Sequence, residues 1–147
     1  GSRCTEADAT MATDDAIQRA NFAFYQAFLD RDLAAMDRVW ALRLPVLCIH
    51  PGAAPLAIRE QVLASWHDIL TNPRSPMLEH RVESILHFGD VALLTCYEWN
   101  KAQPDAVLLA TNGFALENGV YKMILHHAGP VHHSAVPGPT PPKPRIH

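Results

Sequence analysis

The second half of the chain contains two pairs of long, partly apolar segments, each pair joined by a two-residue turn sequence. EHRVESILHF and VALLTCYEWN flank Gly89-Asp90, and AVLLATNGFALE and VYKMILHHA flank Asn118-Gly119. Apolar residues recur along these segments with the period of two that is typical of strands, and Asn-Gly is the strongest short-range hairpin signal. The sequence therefore predicts two long antiparallel hairpins after Met77.

The first half shows the three- and four-residue spacing of amphipathic helices. Thr13 is the predicted N-cap of a first helix that runs to about Leu29, and Asp32 caps a second, shorter helix. LPVLCIH is typical of a short strand, and AIREQVLASWHDIL predicts a third helix that ends before NPRSP. Three helices followed by long antiparallel strands predict an α+β fold, with the helices packed on one face of a curved sheet.

A length of 147 residues predicts a single domain. Its predicted limits are residues 13–129, after a polar lead-in at residues 1–12. A proline-rich tail at residues 130–147 follows, which we expect to dock on its own domain or on a neighbouring subunit.

Charge, hydropathy and cysteine content exclude several classes of protein. No cluster of Lys and Arg lies beside aromatic residues, so nucleic acid is not an expected partner. No apolar segment has the length of a membrane span. Cys4, Cys48 and Cys96 are odd in number and form no CxxC motif, which predicts a reducing, cytoplasmic location rather than a disulfide framework.

Hairpin register predicts which side chains of the first hairpin face the helices. The pairs counted outward from Gly89-Asp90 are Phe88 with Val91, Leu86 with Leu93, Ser84 with Thr95, Val82 with Tyr97 and His80 with Trp99. Arg81 then lies opposite Glu98, as an oppositely charged pair on a solvent-exposed face would. The residues predicted to face the helices are Val82, Leu86, Leu93, Tyr97, Trp99 and His80.

The same count from Asn118-Gly119 applies to the second hairpin. It pairs Phe114 with Met123, Asn112 with Leu125 and Ala110 with His127. The side chains of Phe114, Asn112 and His127 are thereby predicted to face the helices. The predicted outer face carries Leu109, Thr111, Ile124 and His126. It is apolar enough to predict a homodimer that forms through this face.

The order of these elements and several short motifs resemble the nuclear transport factor 2-like superfamily and, within it, the SnoaL-like proteins. The motifs are FYQAF and DLAAM in the first two helices, HPG after the first strand and SW in the third helix, and the resemblance covers residues 14–129. It implies a cone-shaped half-barrel, in which a curved sheet wraps around a long N-terminal helix and leaves a pocket at the open end. It also implies frequent homodimers. Members include ketosteroid isomerases, polyketide cyclases, dehydratases and non-catalytic binding domains.

The resemblance implies roles for particular residues. His50 lies where ketosteroid isomerases carry the aspartate that acts as general base. Tyr25 lies near the tyrosine of their oxyanion hole, and Asn112 lies where they keep a protonated aspartate. Two of these three residues differ from the isomerase pattern, which counts against steroid isomerisation. Scytalone dehydratase-like members use histidines and an asparagine around the same cavity, and His50, His80 and Asn112 are similar to that arrangement.

The predicted function is the binding of a small apolar or aromatic carbonyl compound in the cone. An isomerase, cyclase or dehydratase activity would use His50 as general base, with Asn112 and Tyr25 as catalytic partners at a developing enolate oxygen. The residues predicted to line the pocket are His80, Tyr97, Trp99, Trp66, Phe114 and His127. The alternative is a non-catalytic dimerisation or ligand-sensing domain, whose polar residues only satisfy one another.

The sequence predicts neither a metal site nor another cofactor. His126 and His127 are adjacent on a predicted strand, so their side chains point to opposite faces and are poorly placed to share one ion. Proton transfer beside a carbonyl group needs no cofactor.

Overall fold

A computed structural model describes residues 5–132 and residue 136 of the chain. Its helices are α1 (Glu6–Leu29), α2 (Leu33–Val39) and α3 (Arg59–Thr71), and its strands are β1 (Leu47–Ile49), β2 (Leu78–Phe88), β3 (Val91–Asn100), β4 (Gln103–Glu117) and β5 (Val120–Pro130). The strands form one sheet in the order β1-β5-β4-β3-β2, which is antiparallel except between β1 and β5. The predicted α+β fold is therefore confirmed. Cys4 and most of the predicted tail lie outside the described residues.

The junction between α1 and α2 depends on two adjacent residues. Arg31 adopts a positive φ of 52°, which breaks the helix, and the Asp32 carboxylate then accepts a hydrogen bond from the backbone N–H of Ala35 at 3.0 Å. The predicted cap of α2 is thus confirmed. The predicted start of α1 is wrong, because the helix already begins at Glu6. The Thr13 hydroxyl donates to the carbonyl of Ala9 at 2.8 Å, as a threonine inside a helix does.

Both predicted hairpin turns are present. Asn118 and Gly119 have φ values of 52° and 77°, the two positive values that a type I′ turn requires, and Gly89 has a φ of 64°. Near each turn the observed pairs match the predicted ones: Phe88 with Val91, Leu86 with Leu93, Ser84 with Thr95, and Phe114 with Met123.

Each hairpin contains one extra residue, and the strand pairs that lie farther from the turn than this residue are shifted in register. Glu83 has no partner on β3, so Val82 pairs with Cys96 rather than with Tyr97. Ile124 has no partner on β4, so Asn112 pairs with His126. A one-residue shift moves every later side chain of that strand to the opposite face of the sheet.

These shifts and the burial of β3 correct several predicted orientations. Alternate residues of β3 are buried against the helices: Ala92, Leu94, Cys96 and Glu98. The inward orientation predicted for five residues is therefore wrong, and the outer face carries Leu86, Leu93, Tyr97, Trp99 and His127. The outward orientation of His126 is also wrong, because its side chain is 3% exposed. His80, Val82 and Asn112 lie on the inner side, as predicted.

The predicted exposed pair of Arg81 and Glu98 does not form. Arg81 lies opposite Tyr97 on the outer face, with its guanidinium carbon 5.4 Å from the centre of the tyrosine ring. Glu98 lies opposite His80 on the inner face. Ile124, which was predicted on the outer face, packs partly against the core.

The inner face of the sheet holds the core around α1. Four small buried residues lie on this face: Ala92, Cys96, Ala110 and Ala128. Small side chains there leave room for the large residues of α1, of which Phe24 and Tyr25 are 1% exposed.

Candidate functional site

A cavity of about 220 Å³ lies between α1, α3 and the inner face of the sheet. We call it the cone cavity, and its lining is Phe24, Tyr25, Phe28, His50, Pro51, Trp66, Ile69, Ser75, Pro76, Leu78, Glu98, Leu108 and His126. Most of these side chains are aromatic or aliphatic. Four titratable groups interrupt the apolar wall: Tyr25, His50, Glu98 and His126. A mostly apolar space with a few polar groups is typical of a small-molecule site.

The aromatic part of the wall is built around Trp66. The helical spacing of α3 turns this residue inward together with Val62 and Leu70. The indole meets Phe24 edge-on, with ring centroids 5.2 Å apart, and Phe28 edge-on at 5.7 Å. Edge-to-face packing of this kind holds the rings in fixed positions.

His50 reaches the cone cavity because β1 ends immediately before it. Its Nε2 lies 2.8 Å from the hydroxyl oxygen of Ser65, and that hydroxyl donates its own proton to the carbonyl of Val62 at 2.6 Å. The Ser65 oxygen must therefore accept, so Nε2 carries the proton of the neutral imidazole and Nδ1 is unprotonated. Burial lowers the pKa of His50 below its ordinary value of 6.5, which favours this neutral form.

His126 reaches the cone cavity from β5. Its Nδ1 lies 2.6 Å from the amide oxygen of Asn112, which can only accept a hydrogen bond, so Nδ1 carries the proton and Nε2 does not. Burial, with smaller contributions from His50 and His127, lowers the pKa of His126 to about 3. The imidazole of His126 is therefore neutral at all ordinary pH values.

Asn112 lies behind the wall and joins its two sides. Its amide nitrogen donates to the side-chain oxygen of Asn21 at 2.8 Å and to the Tyr25 hydroxyl at 3.1 Å. Its amide oxygen accepts from His126. Both amide protons and the amide oxygen thus have partners within the core, and Asn112 fixes both the tautomer of His126 and the direction of the Tyr25 hydroxyl.

Glu98 is a buried carboxyl group at the other side of the wall. It is 2% exposed and accepts a short hydrogen bond from the Tyr25 hydroxyl. Burial raises the pKa of Glu98 from 4.5 to about 7, although the bond from Tyr25 acts in the opposite direction. Burial and the nearby carboxyl group also raise the pKa of Tyr25 well above 10.0, so Tyr25 keeps its proton. His80 stacks on the Tyr25 ring with centroids 4.1 Å apart.

Arg31 holds one side of the rim of the cone cavity. Its guanidinium donates to the carbonyl groups of Leu70, Asn72 and Ser75 at 3.3, 2.9 and 2.8 Å. The segment fixed in this way leads into Ser75 and Pro76, which line the cone cavity.

The structure brings together only some of the residues predicted from the sequence. His50, Tyr25 and Trp66 line the cone cavity, while Asn112 and His80 contact Tyr25 from outside the lining. Phe114 is fully buried on the inner face but does not line the cone cavity. Tyr97, Trp99 and His127 lie on the outer face, away from it.

Two of the titratable residues of the cone cavity, Glu98 and His126, are not predicted from the sequence. The alternate positions of β3 offered a signal, because Ala92 and Cys96 are the small residues that a concave inner face requires, and Glu98 belongs to the same alternation. No comparable signal marked His126, because the extra residue Ile124 decides its face.

The described part of the chain lacks both a metal-binding cluster and a membrane-spanning helix. Residues 5–132 contain no group of three or more His, Cys, Asp or Glu side chains that could hold a metal ion. No helix in this range is long and apolar enough to cross a membrane. Cys48 and Cys96 are free and buried, and burial raises the pKa of each thiol to about 12.

Helices packed on a curved sheet around a small, mostly apolar cavity define a class of α+β half-barrels that includes both enzymes and binding domains. Residues 17–132 match the SnoaL-like domain family. The chain belongs to this family.

Solved structures with the same fold support the assignment. A protein proposed as a calcium/calmodulin-dependent protein kinase type II association domain, from Thiobacillus denitrificans, is 34% identical, with a TM-score of 0.69 over 78% of this chain and 94% of that one. A protein proposed as a dehydratase of the NTF2-like family, from Streptomyces avermitilis, is 29% identical, with a TM-score of 0.71 over 82% of this chain and 98% of that one. A ketosteroid isomerase-like protein from Erwinia carotovora atroseptica is 13% identical, with a TM-score of 0.63 over 80% and 95%, and it shares the fold alone.

A sequence similar to this chain is found within a longer protein. The chain is 28% identical over 122 residues to the F-box protein SKIP8 of Arabidopsis thaliana. The match covers 80% of this chain and 50% of SKIP8, so the chain spans about half the length of that relative.

Proposed function

We propose that the chain binds a small, neutral aromatic or apolar carbonyl compound in the cone cavity and moves a proton on it without a cofactor, as an isomerase, cyclase or dehydratase does. The observation that carries the proposal is that three of the four titratable groups on the wall of one mostly apolar space are a carboxyl group and two imidazoles: Glu98, His50 and His126. Burial favours the uncharged form of each group. The wall therefore offers one proton donor, Glu98, one proton acceptor, His50, and one hydrogen-bond acceptor, His126, near neutral pH.

The volume of the cone cavity limits the size of the ligand. An apolar protein cavity of roughly 150 Å³ accepts benzene. A space of about 220 Å³ therefore suits one ring with a short side chain. Phe24, Phe28 and Trp66 offer ring edges and faces to such a ligand, and they exclude water from the reacting atoms.

His50 is the proposed general base. Its Nε2 proton is directed to Ser65, so Nδ1 is the nitrogen that takes a proton from the carbon beside the carbonyl group. The lowered pKa keeps the imidazole unprotonated, and therefore ready to act, at neutral pH.

Glu98 is the proposed general acid. A pKa of about 7 leaves a large fraction of the carboxyl group protonated at neutral pH. The group can then donate a proton to the carbonyl oxygen as the enolate forms, and take it back when the product is released from the enol. Tyr25 fixes the position of the carboxyl group through its hydroxyl.

Asn112 and His126 receive different roles from these two residues. Asn112 is a positioning residue, because both of its amide protons are donated to Asn21 and Tyr25 and none remains for an enolate oxygen. His126, with a pKa of about 3, is too weak a base to abstract a proton. Its Nε2 is suited to accept a hydrogen bond, which favours a ligand that carries a hydroxyl group as well as a carbonyl group.

Hydrogen–deuterium exchange at carbon tests the proposal without knowledge of the product. The protein is incubated in D₂O with single-ring aryl ketones such as propiophenone and 4-hydroxypropiophenone, and loss of the α-proton signal is followed by NMR. His50→Ala is expected to lower the exchange rate at least roughly 100-fold. His67→Ala, at an exposed histidine of α3, is the matched control and should leave the rate unchanged. Exchange at the solvent rate for every ketone, or full exchange by His50→Ala, would reject the proposal.

A second candidate function is association through the outer face of the sheet, as a homodimer. Leu86 and Leu109 are 53% and 37% exposed on this face, and Leu109 lies opposite Tyr97. The relative proposed as an association domain supports this candidate. Light scattering should give the mass of two chains for the protein and of one chain for Leu109→Glu. Leu42→Glu, at a leucine that is 65% exposed elsewhere, is the control that should remain dimeric. A monomeric wild-type protein would reject this candidate.

A further inference from the structure

A second depression, of about 530 Å³, lies between α1, α2 and the turn that joins β4 to β5. We call it the alanine groove, because Ala16, Ala20 and Ala23 of α1 and Ala35 of α2 contribute to its lining. It shares no lining residue with the cone cavity, so it is a separate site.

The groove exists because its lining residues are small. The three alanines of α1 are spaced by four and three positions and therefore share one face of the helix. A longer side chain at any of them would extend into the space between α1 and α2. Val39 and Tyr121 complete an apolar floor.

Three cationic residues line the alanine groove: Arg19, Arg38 and Lys122. No acidic residue belongs to the lining. Within the part of the chain that the structure describes, neither Arg19 nor Arg38 forms an ion pair, although Asp15 lies one turn before Arg19. Lys122 donates one proton to the carbonyl of Arg38 at 2.5 Å, which leaves two of its three ammonium protons.

Glu117 is an acid near Lys122, but its carboxylate is already engaged. It accepts hydrogen bonds from the backbone N–H groups of three residues, Leu42, Arg43 and Leu44, at 2.9, 2.9 and 3.2 Å. These bonds hold the pKa of Glu117 below its ordinary value, with a smaller contribution from Lys122. This carboxylate anchors the segment after α2 and does not belong to the lining of the groove.

We propose that the alanine groove binds a small organic anion, whose apolar body lies on the alanine floor and whose carboxylate lies among Arg19, Arg38 and Lys122. The guanidinium group pairs with a carboxylate through two parallel hydrogen bonds, and unpaired cations beside an apolar surface favour such an amphiphilic ligand. The volume of about 530 Å³ is more than twice that of the cone cavity, so the groove has room for such a ligand. The inference does not rest on the function proposed for the cone cavity.

The probes are benzoate, its neutral analogue benzamide and inorganic phosphate, titrated at low salt and followed by amide NMR shifts. Benzoate should shift the signals of residues 16–23 and 119–122 saturably. Benzamide should bind at least roughly tenfold more weakly, since it lacks the charge, and so should phosphate, since it lacks the apolar body.

Variants separate the groove from unspecific attraction. The double change Arg19→Gln and Arg38→Gln should weaken benzoate binding at least roughly tenfold, whereas Arg74→Gln, a matched exposed arginine outside the groove, should leave it nearly unchanged. Ala23→Leu, at an exposed position of α1, should weaken binding by filling the groove without any change of charge. Thermal unfolding of each variant shows that the fold is retained.

Three outcomes would overturn the inference. They are no saturation by about 10 mM benzoate, shifts confined to the residues of the cone cavity, and phosphate that binds as tightly as benzoate. None of them affects the ketone exchange assay, so a failure of this site and a failure of the proposed function are distinguishable.

Discussion

The two sides of the cone cavity keep their titratable groups uncharged by the same physical means, yet they depend on pH in opposite directions. Burial raises the pKa of Glu98 from 4.5 to about 7 and lowers the pKa of His126 from 6.5 to about 3. The carboxyl group holds its proton more tightly than it does in the unfolded chain, and the imidazole holds its proton less tightly. One apolar environment thus produces a proton donor on one side and an acceptor on the other.

The sign of each contribution to stability follows from proton binding. Between pH 4.5 and 7 the folded protein binds more protons at Glu98 than the unfolded chain does, so the free energy of unfolding falls as pH rises. Between pH 3 and 6.5 the unfolded chain binds more protons at His126, so the free energy of unfolding rises with pH. Between pH 4.5 and 6.5, Glu98 makes the free energy of unfolding fall with pH and His126 makes it rise, so the two contributions oppose each other. The pKa of His50 is also lowered, so His50 contributes in the same direction as His126.

The largest expected effect comes from Asn112→Leu, because Asn112 joins the two sides. The change leaves the Nδ1 proton of His126 and the side-chain oxygen of Asn21 without their partners, and it removes a donor from Tyr25. Each buried polar group left unpaired costs about 1–3 kcal/mol, so the free energy of unfolding should fall by about 3–5 kcal/mol. Urea denaturation at pH 7 measures it. A loss no larger than that of Thr111→Val, on the outer face of the same strand, would contradict the network.

Glu98→Gln removes the group that makes the free energy of unfolding fall as pH rises. The free energy of unfolding of this variant should rise between pH 4.5 and 6.5 by on the order of 3 kcal/mol relative to the wild-type curve, since each unit of separation between pKa values corresponds to about 1.4 kcal/mol. Urea denaturation at a series of pH values gives both curves. Glu79→Gln, at a more exposed glutamate of β2, is the control and should reproduce the wild-type curve. Parallel curves for Glu98→Gln and the wild type would show that Glu98 has an ordinary pKa.

His126→Gln removes a group that makes the free energy of unfolding rise with pH, so it should change the pH dependence in the direction opposite to Glu98→Gln. Its free energy of unfolding should fall with rising pH over the same window, by about 1–3 kcal/mol, because His50 still offsets part of the Glu98 contribution. The same denaturation series measures this fall, with His67→Gln as the exposed control. A variant curve that rises with pH would mean that His126 is not the group that titrates.

The smallest effect is expected from His80→Phe. His80 stacks on Tyr25 at 4.1 Å, and phenylalanine keeps a ring in this position without a titratable group. The free energy of unfolding at pH 7 should change by less than about 1 kcal/mol. A larger loss, in the same urea experiment, would indicate that His80 takes part in the polar network as well as in stacking.

Most of the fold could be predicted because turn chemistry is local. Asn118 and Gly119 take the positive φ values that their residue types favour, and the strand pairs next to the turn follow from it. The extra residues Glu83 and Ile124 could not be predicted, because a β-bulge depends on how both faces of the sheet pack rather than on the residues of the turn.

The cavity residues were predictable only where they lie close to a helix signal or a turn signal. His50 follows β1 at the HPG turn, and Tyr25 and Trp66 lie on helices whose period is clear. The sequence predicts Glu98 on the outer face because the count from the turn puts Arg81 directly opposite it, as in an oppositely charged pair on an exposed face. The burial of Glu98 depends on the pairing of four strands, which no short stretch of sequence records.

The three hydrogen bonds of Arg31 have a consequence for the timing of ligand exchange. One guanidinium fastens the segment that leads to Ser75 and Pro76, so this side of the rim can move away only when bonds to three carbonyl groups open together. A residue that does not line the cone cavity would then govern how fast a ligand arrives and departs. We expect weakening of this attachment to speed both steps alike, so that Arg31 sets the residence time of the ligand proposed for the cone cavity while the residues of the wall set its affinity.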